Sequence, residues 1–265
     1  MHLTQMFVHP LKSGRGIAYS RAFAAYEGLL HDREWLLVDE KNQFMTARTF
    51  PQMVKIEIEL IPGGALFKFP GLSPMLALPT LHTKPVETSV WKDDFVAWEG
   101  DPRADEWFSQ ALGLPCKLLW LGRPSARAQK TTSHPLSFAD GYPYLLINQA
   151  SVEEVNEHLA TPVTARNFRP NLVIEGATAY EEDEWKRVRI GSVEFAVAKP
   201  CTRCILTTVD PERGEKRSDN EPLKTLASTR KRSEGICFGL NLVAINEGIV
   251  NIGDEFEVLE TNIAF

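Results

Sequence analysis

Apolar residues in this chain come in short alternating runs, each closed within a few positions by Pro, Gly, Asn or Asp, and this punctuation admits little but small β-sheets. Val54, Ile56, Ile58 and Leu60 alternate with polar residues, and Pro62-Gly63-Gly64 then turns the chain into a run over 66–69. Residues 35–38 and 44–46 flank the polar turn Asp39-Glu40-Lys41-Asn42-Gln43 and predict another hairpin. Further strands are expected over 116–121, 144–147, 172–174, 188–190, 193–197, 205–209, 242–245 and 255–258, with Gly191-Ser192 as a hairpin turn. Helices are few. Asp101-Pro102 opens one whose apolar face is Trp107, Phe108, Ala111 and Leu112 and which Gly113 ends. Ser151 with Glu154 forms a capping box ahead of Val152, Val155 and Leu159. Many short strands joined by turns point to closed or nearly closed barrels, which leave no exposed edge. The fold class expected is α+β, mostly β.

A chain of 265 residues makes one large or two ordinary domains, and 43% apolar content is enough for a real core. Between Gly122 and Pro143 the periodicity fails while Pro, Ser, Thr, Arg and Gly accumulate, which marks a domain junction or a functional loop. We place the boundary there, giving 1–122 and 123–265. A formal net charge of −6 argues against nucleic-acid and membrane-surface partners, and Thr229-Arg230-Lys231-Arg232 reads as a solvated turn. No charged-then-apolar segment resembles a signal peptide, and no apolar run approaches the roughly 20 residues needed to span a bilayer. Four cysteines at uneven spacings indicate no disulfide framework and a reducing compartment, so the expected location is the cytoplasm.

Cys201-Thr202-Arg203-Cys204 places two thiols where the strand over 205–209 is expected to begin, with Lys199 and Arg203 near enough to favour ionised sulfur. Alone, this spacing fits half a zinc site, a redox dithiol or two buried small residues. Zinc needs two further ligands, and neither Cys116, Cys237 nor the histidines stand at a spacing that completes the set. A thioredoxin-like dithiol opens a helix, whereas a β-branched segment follows here. Asn167-Phe168-Arg169-Pro170-Asn171 offers directional donors on a turn stiffened by Pro170, either as a plain turn before a strand or as an anion site. Asp140 before Gly141 is an Asx-turn or a carboxylate available for proton relay.

The run from Lys199 through Pro200, the two thiols and Ile205-Leu206-Thr207-Thr208-Val209-Asp210-Pro211 resembles the signature of MOSC domains. It is most similar to the branch that contains the mitochondrial amidoxime-reducing component and the bacterial YcbX-like proteins. Asn167 to Asn171 matches that family's segment residue for residue. His9-Pro10-Leu11-Lys12-Ser13, Asp32-Arg33-Glu34-Trp35, Thr46-Ala47-Arg48 and Phe138-Ala139-Asp140 extend the resemblance over nearly the whole chain.

The resemblance implies an N-terminal β-barrel-like domain followed by a MOSC β-barrel with short helices. It also implies a molybdenum cofactor ligated by Cys204, with Cys201 as a supporting or structural thiol. Lys12, Ser13, Arg33, Arg48, Asn167, Arg169, Asn171, Thr202 and Arg203 are expected around the pterin and its phosphate, and Asp140 next to the metal in a catalytic role. The implied activity is reduction of N-hydroxylated small molecules such as amidoximes and hydroxylaminopurines. No pyridoxal phosphate and no iron–sulfur cluster are expected in this chain. The sequence closes soon after Ile252-Gly253-Asp254, so the ferredoxin domain and membrane anchor of some relatives are not expected. Electrons are therefore expected from a separate protein of flavoprotein, ferredoxin-like or cytochrome type. The rival readings are a cofactor carrier or sulfur-handling module without turnover, and a structural domain with incidental thiols.

Overall fold

The computed structural model describes residues 1–129 and 132–262. Short strands dominate, with three α-helices among the described residues, Pro102–Leu112, Gln149–Asn156 and Leu223–Thr229. The largest sheet runs in the order Phe256–Thr261, Trp185–Ile190, Val193–Thr202, Gly235–Ala244, Tyr144–Asn148, Leu172–Glu175, His2–Val8 and Ile17–Ala18. The start of His2–Val8, the last member but one, meets the start of the first member again: His2 bridges Glu255, the Leu3 amide donates to the Asp254 carbonyl at 3.0 Å, and the Phe256 amide donates to the Met1 carbonyl at 2.9 Å. The sheet is therefore closed, and the chain's first strand completes a barrel otherwise built from residues after 143. A second cross-link joins Arg21–Ala25 to Gly248–Asn251.

One pair in this barrel is parallel, Tyr144–Asn148 with Leu172–Glu175, and the helix Gln149–Asn156 supplies the crossover that a parallel pair requires. Residues 31–121 form two smaller sheets. Trp35–Val38, Lys117–Trp120, Asp93–Glu99 and Lys84–Val90 pair in that order, and Glu57–Ile61, Gly64–Lys68 and Met75–Ala77 form a meander. Leu3, Met6, Tyr144, Trp185, Phe195 and Phe256 fill the barrel, while Trp35, Met53, Phe67, Phe108 and Leu118 fill the other half. Val209, from the segment after the thiols, packs in that second core. The thiol segment is thus held from both sides. Among the described residues no helix is long and apolar enough to cross a membrane.

The helix at Pro102–Leu112 has the predicted ends: the Asp101 carboxylate accepts from the Arg103 amide, and Gly113 takes the left-handed conformation at φ 73°. Four local expectations are corrected. Residues 44–46 form one antiparallel bridge, Val38 with Phe44, and no strand. Asn148, not Ser151, caps the helix Gln149–Asn156, and the Ser151 hydroxyl donates to Glu182 from inside its first turn at 2.7 Å. The basic run is not a solvated turn, because the Arg230 and Arg232 guanidiniums pair with Asp183 and Arg230 lies over the Tyr180 ring.

The fourth correction concerns the thiols. They stand where a strand ends: Val193–Thr202 carries Cys201, and residues 205–208 form the 3-10 turn Ile205–Thr208. Alternating β-branched residues loaded the expectation toward a strand, but Thr207 Oγ1 donates to the Cys204 carbonyl at 2.9 Å and Thr208 Oγ1 to the Ile205 carbonyl at 2.8 Å. These hydroxyls occupy carbonyls that a ladder would otherwise pair.

Candidate functional site

Every residue assigned to the site from the sequence lines one cavity of about 150 Å³, where the N-terminal turn, the loop before Tyr144–Asn148, the Arg169 turn and the thiol segment converge. Five cations, Lys12, Arg33, Arg48, Arg169 and Arg203, face one carboxylate, Asp140, across it. A chain of net charge −6 thus gathers positive charge at one place, which suits an anion with several acceptor oxygens.

Lys12 follows the strand His2–Val8 and is fixed by its amide, which donates to the Trp35 carbonyl at 2.8 Å. Its side chain is 8% exposed; the ammonium donates to the Phe138 carbonyl at 2.8 Å and pairs with Asp140. Burial pulls the Lys12 ammonium below the ordinary lysine range against the support of Asp140. Partial desolvation also pushes the Asp140 carboxyl up, but its side chain is 56% exposed, and the paired Lys12 and then Arg48 outweigh that effect and hold it below the usual carboxylate range. Asp140 is therefore an anion at neutral pH, an acceptor and not an acid. Ser13 sits beside Lys12 in the left-handed region, and its hydroxyl lies 3.5 Å from Thr46 Oγ1.

Arg33 belongs to a buried network. Its guanidinium pairs with Asp32 and donates to Asn171 Oδ1 at 3.0 Å and the Arg169 carbonyl at 3.4 Å. Asp32 also accepts from the His9 amide at 2.8 Å. Arg169, left-handed at φ 56°, ends the turn Ala165–Phe168 and donates to the Gly14 carbonyl at 2.7 Å, tying the two halves together. Burial, and after it the nearby Arg33 charge, lowers the Arg169 guanidinium to about 9, so it stays charged at neutral pH. Asn167 and Asn171 line the cavity, but their amides bond to the frame: Asn167 to the Thr207 carbonyl and Asn171 to the Phe7 carbonyl.

In the thiol segment, the Arg203 amide donates to the Ile236 carbonyl at 2.7 Å and its guanidinium donates to the Phe168 carbonyl at 2.7 Å and to Cys201 Sγ at 3.0 Å. Cys201 also packs against the core containing Phe168 and Phe238. Cys204 differs: its carbonyl caps the following turn, while its sulfur has no hydrogen-bond partner among the described residues. Thr202 is exposed at the rim. Arg48 donates to Asp140 at 3.3 Å and lies 4.2 Å from the Trp91 ring centre. Two buried guanidinium atoms here, Arg48 Nε and Arg203 Nε, have no hydrogen-bond partner among the described residues, an uncommon condition that a bound acceptor would relieve. No cluster of three or more His, Cys, Asp or Glu side chains suited to a metal occurs among the described residues.

Sequence reasoning missed Trp91 and Arg127. Trp91 stands in a hairpin turn at φ 59° and is 45% exposed, a position that composition reads as plain surface. Arg127 is buried, and its guanidinium donates to the Ser137 carbonyl, to the Ala139 carbonyl at 2.8 Å and to Asp93 at 3.1 Å, pinning the loop that carries Asp140. No pattern in the 122–143 segment announces it. Tyr142, Thr207 and Asn241 also line the cavity. Thr46 does too, and it was legible as part of the Thr46-Ala47-Arg48 motif.

Comparison with known proteins adds two family matches, the MOSC N-terminal beta barrel domain over residues 1–115 and the MOSC domain over 133–257. Mitochondrial amidoxime-reducing component 1 of Mus musculus is 33% identical over 97% of this chain and 82% of its own length. The Homo sapiens protein of that name is 31% identical over the same shares. A molybdenum cofactor sulfurase from Oryza sativa subsp. japonica is 31% identical over 94% of this chain, which spans only 33% of that longer protein.

Proposed function

This chain belongs to the MOSC-domain proteins that carry a MOSC N-terminal beta barrel, and from that premise we propose that it is a molybdenum-cofactor-dependent reductase of N-hydroxylated compounds. One observation carries the reading: the thiol of Cys204, without a hydrogen-bond partner among the described residues, shares a cation-lined cavity with two buried guanidinium nitrogens that also lack one. Cys204 would be the protein's single ligand to such a metal, since no protein ligand set stands nearby among the described residues.

Cys204 would ligate the metal as a thiolate, and Arg48 and Arg203 would present their unpartnered Nε–H groups to the pterin or its phosphate. Lys12, Arg33 and Arg169 add charge, with Ser13 as a further donor. When bound, the cofactor supplies two-electron reduction of N–OH to N–H, with two protons taken up and water released. Asp140, kept ionised by Lys12 and Arg48, would accept a hydrogen bond from the substrate's N–OH group, with the Lys12 ammonium paired beside it. The cavity opens to solvent on the side where Thr202 is exposed and the Arg48 side chain retains 28% exposure.

The 31% identity to a molybdenum cofactor sulfurase favours one alternative, a cofactor carrier or sulfur-handling module without turnover. Protein purified from a host that makes the cofactor separates the two. We expect about one molybdenum per chain, as one thiolate ligand implies, and viologen-driven reduction of benzamidoxime. Cys204→Ser should lose both, whereas Cys201→Ser should keep the metal. Bound metal without turnover supports the carrier; absence of molybdenum from the wild-type protein removes both readings.

A further inference from the structure

Asp140, Gly141 and Tyr142 form a wall shared by two spaces. One is the cavity of Cys204; the other is a cleft of about 550 Å³ whose remaining wall includes Trp91, Lys92, Leu136 and Lys199. Trp91 is a bulky residue in the left-handed region and half in solvent, a combination that costs free energy and is kept only where surroundings enforce it. Here Arg48 stacks on the indole at 4.2 Å and Phe44 meets it edge-on at 5.0 Å. The ring is thus held beside the cleft in part by Arg48, which also lines the thiol cavity.

The charges of the cleft do not cancel. Asp140 is paired with Lys12 and Arg48, and Asp93 accepts from the buried Arg127. Lys92 and Lys199 enter no ion pair among the described residues; Lys199 lies over the Tyr142 ring at 5.3 Å, with Glu234 in electrostatic range but not in contact. The cleft therefore offers two aromatic rings and two uncommitted ammonium groups, and reaches the thiol cavity past one loop. We propose that it is the substrate subsite and that it selects planar N-hydroxylated compounds bearing an acidic substituent, carboxylate or phosphate, over neutral or cationic ones. This rests on the reductase reading above.

The test compares kcat/KM of the molybdenum-loaded protein for benzamidoxime, 4-carboxybenzamidoxime, 4-phosphonobenzamidoxime and 4-(trimethylammonio)benzamidoxime. Two exposed ammonium groups should favour the carboxylate about tenfold over the neutral compound and disfavour the cation. The phosphonate arm separates the two acid types: a larger preference there identifies phosphate as the better fit. The Lys92→Gln/Lys199→Gln variant should bring the carboxylate-to-neutral ratio close to one, and about 0.5 M salt should do so in the wild type, because exposed charges are screened. Equal kcat/KM for anionic, neutral and cationic compounds in the wild type overturns the proposal. If no amidoxime is reduced, the reductase reading fails, and calorimetry decides the cleft separately: 4-carboxybenzamidoxime must bind the wild type more tightly than the double variant, and equal or absent binding overturns it.

Discussion

At the scale of single residues, Arg127 shows how far the site depends on groups that never enter it. Its side chain is 1% exposed and holds two carbonyls of the Asp140 loop together with Asp93. Removing one member of a buried charged network costs about 3 kcal/mol, so Arg127→Met should lower the urea unfolding midpoint accordingly and loosen the Asp140 loop to proteolysis. Asp140 carries a pH signature. Because its folded carboxyl lies below its ordinary value, the stability it contributes is fully present above about pH 3.9 and is lost as pH falls toward the lowered value. Unfolding midpoints from pH 7 to pH 2 should therefore fall less steeply for Asp140→Asn than for the wild type, from a lower start at neutral pH. Lys12, Arg33, Arg48 and Arg169 were legible from motifs, since short words such as Lys12-Ser13 survive as units in the chain. Arg127 and Trp91 were not, because their roles come from burial and a left-handed turn, which spacing does not encode.

At the scale of elements, the turn after Cys204 is the instructive case. Its β-branched alternation spells a strand, yet two buried threonine hydroxyls bond carbonyls three residues back and wind it into a 3-10 turn. Thr207→Val should keep the volume, remove one hydrogen bond worth about 1 kcal/mol, and weaken metal retention by freeing the cap at Cys204; unchanged molybdenum content would show that the cap does not hold the thiol. Gly239 does for the strand Gly235–Ala244 what threonine does for the turn. It sits at φ 74°, and a Cβ there would stand 2.6 Å from the Leu146 carbonyl oxygen. Gly239→Ala should therefore destabilise by at least about 2 kcal/mol, read by thermal unfolding. The helix Pro102–Leu112 was fully legible because its cap, first proline and closing glycine are local signals. The cap of Gln149–Asn156 was not, since the partner that claims Ser151, Glu182, comes from 31 positions away.

At the scale of the molecule, the alternation of short strands gave mostly β architecture without ambiguity, but no local signal tells a strand which distant partner it will find. The first strand pairs with Leu172–Glu175 and closes the barrel against residues 254–256. A fragment starting at residue 143 should therefore expose open sheet edges and aggregate, and adding a peptide of residues 1–30 should restore a monomer on size exclusion; a stable monomer without it would contradict the closure. The same closure has a temporal side. Thr4 leaves the ribosome 169 positions ahead of Val173, the residue its hydroxyl bonds. At about 5–20 residues per second that interval is roughly 10–30 s. The leading strand must wait through that interval with only the short Ile17–Ala18 beside it. A nascent chain of this kind invites chaperone occupancy of its opening strand, and slowing elongation late in the message should harm the yield of native protein more than slowing it early.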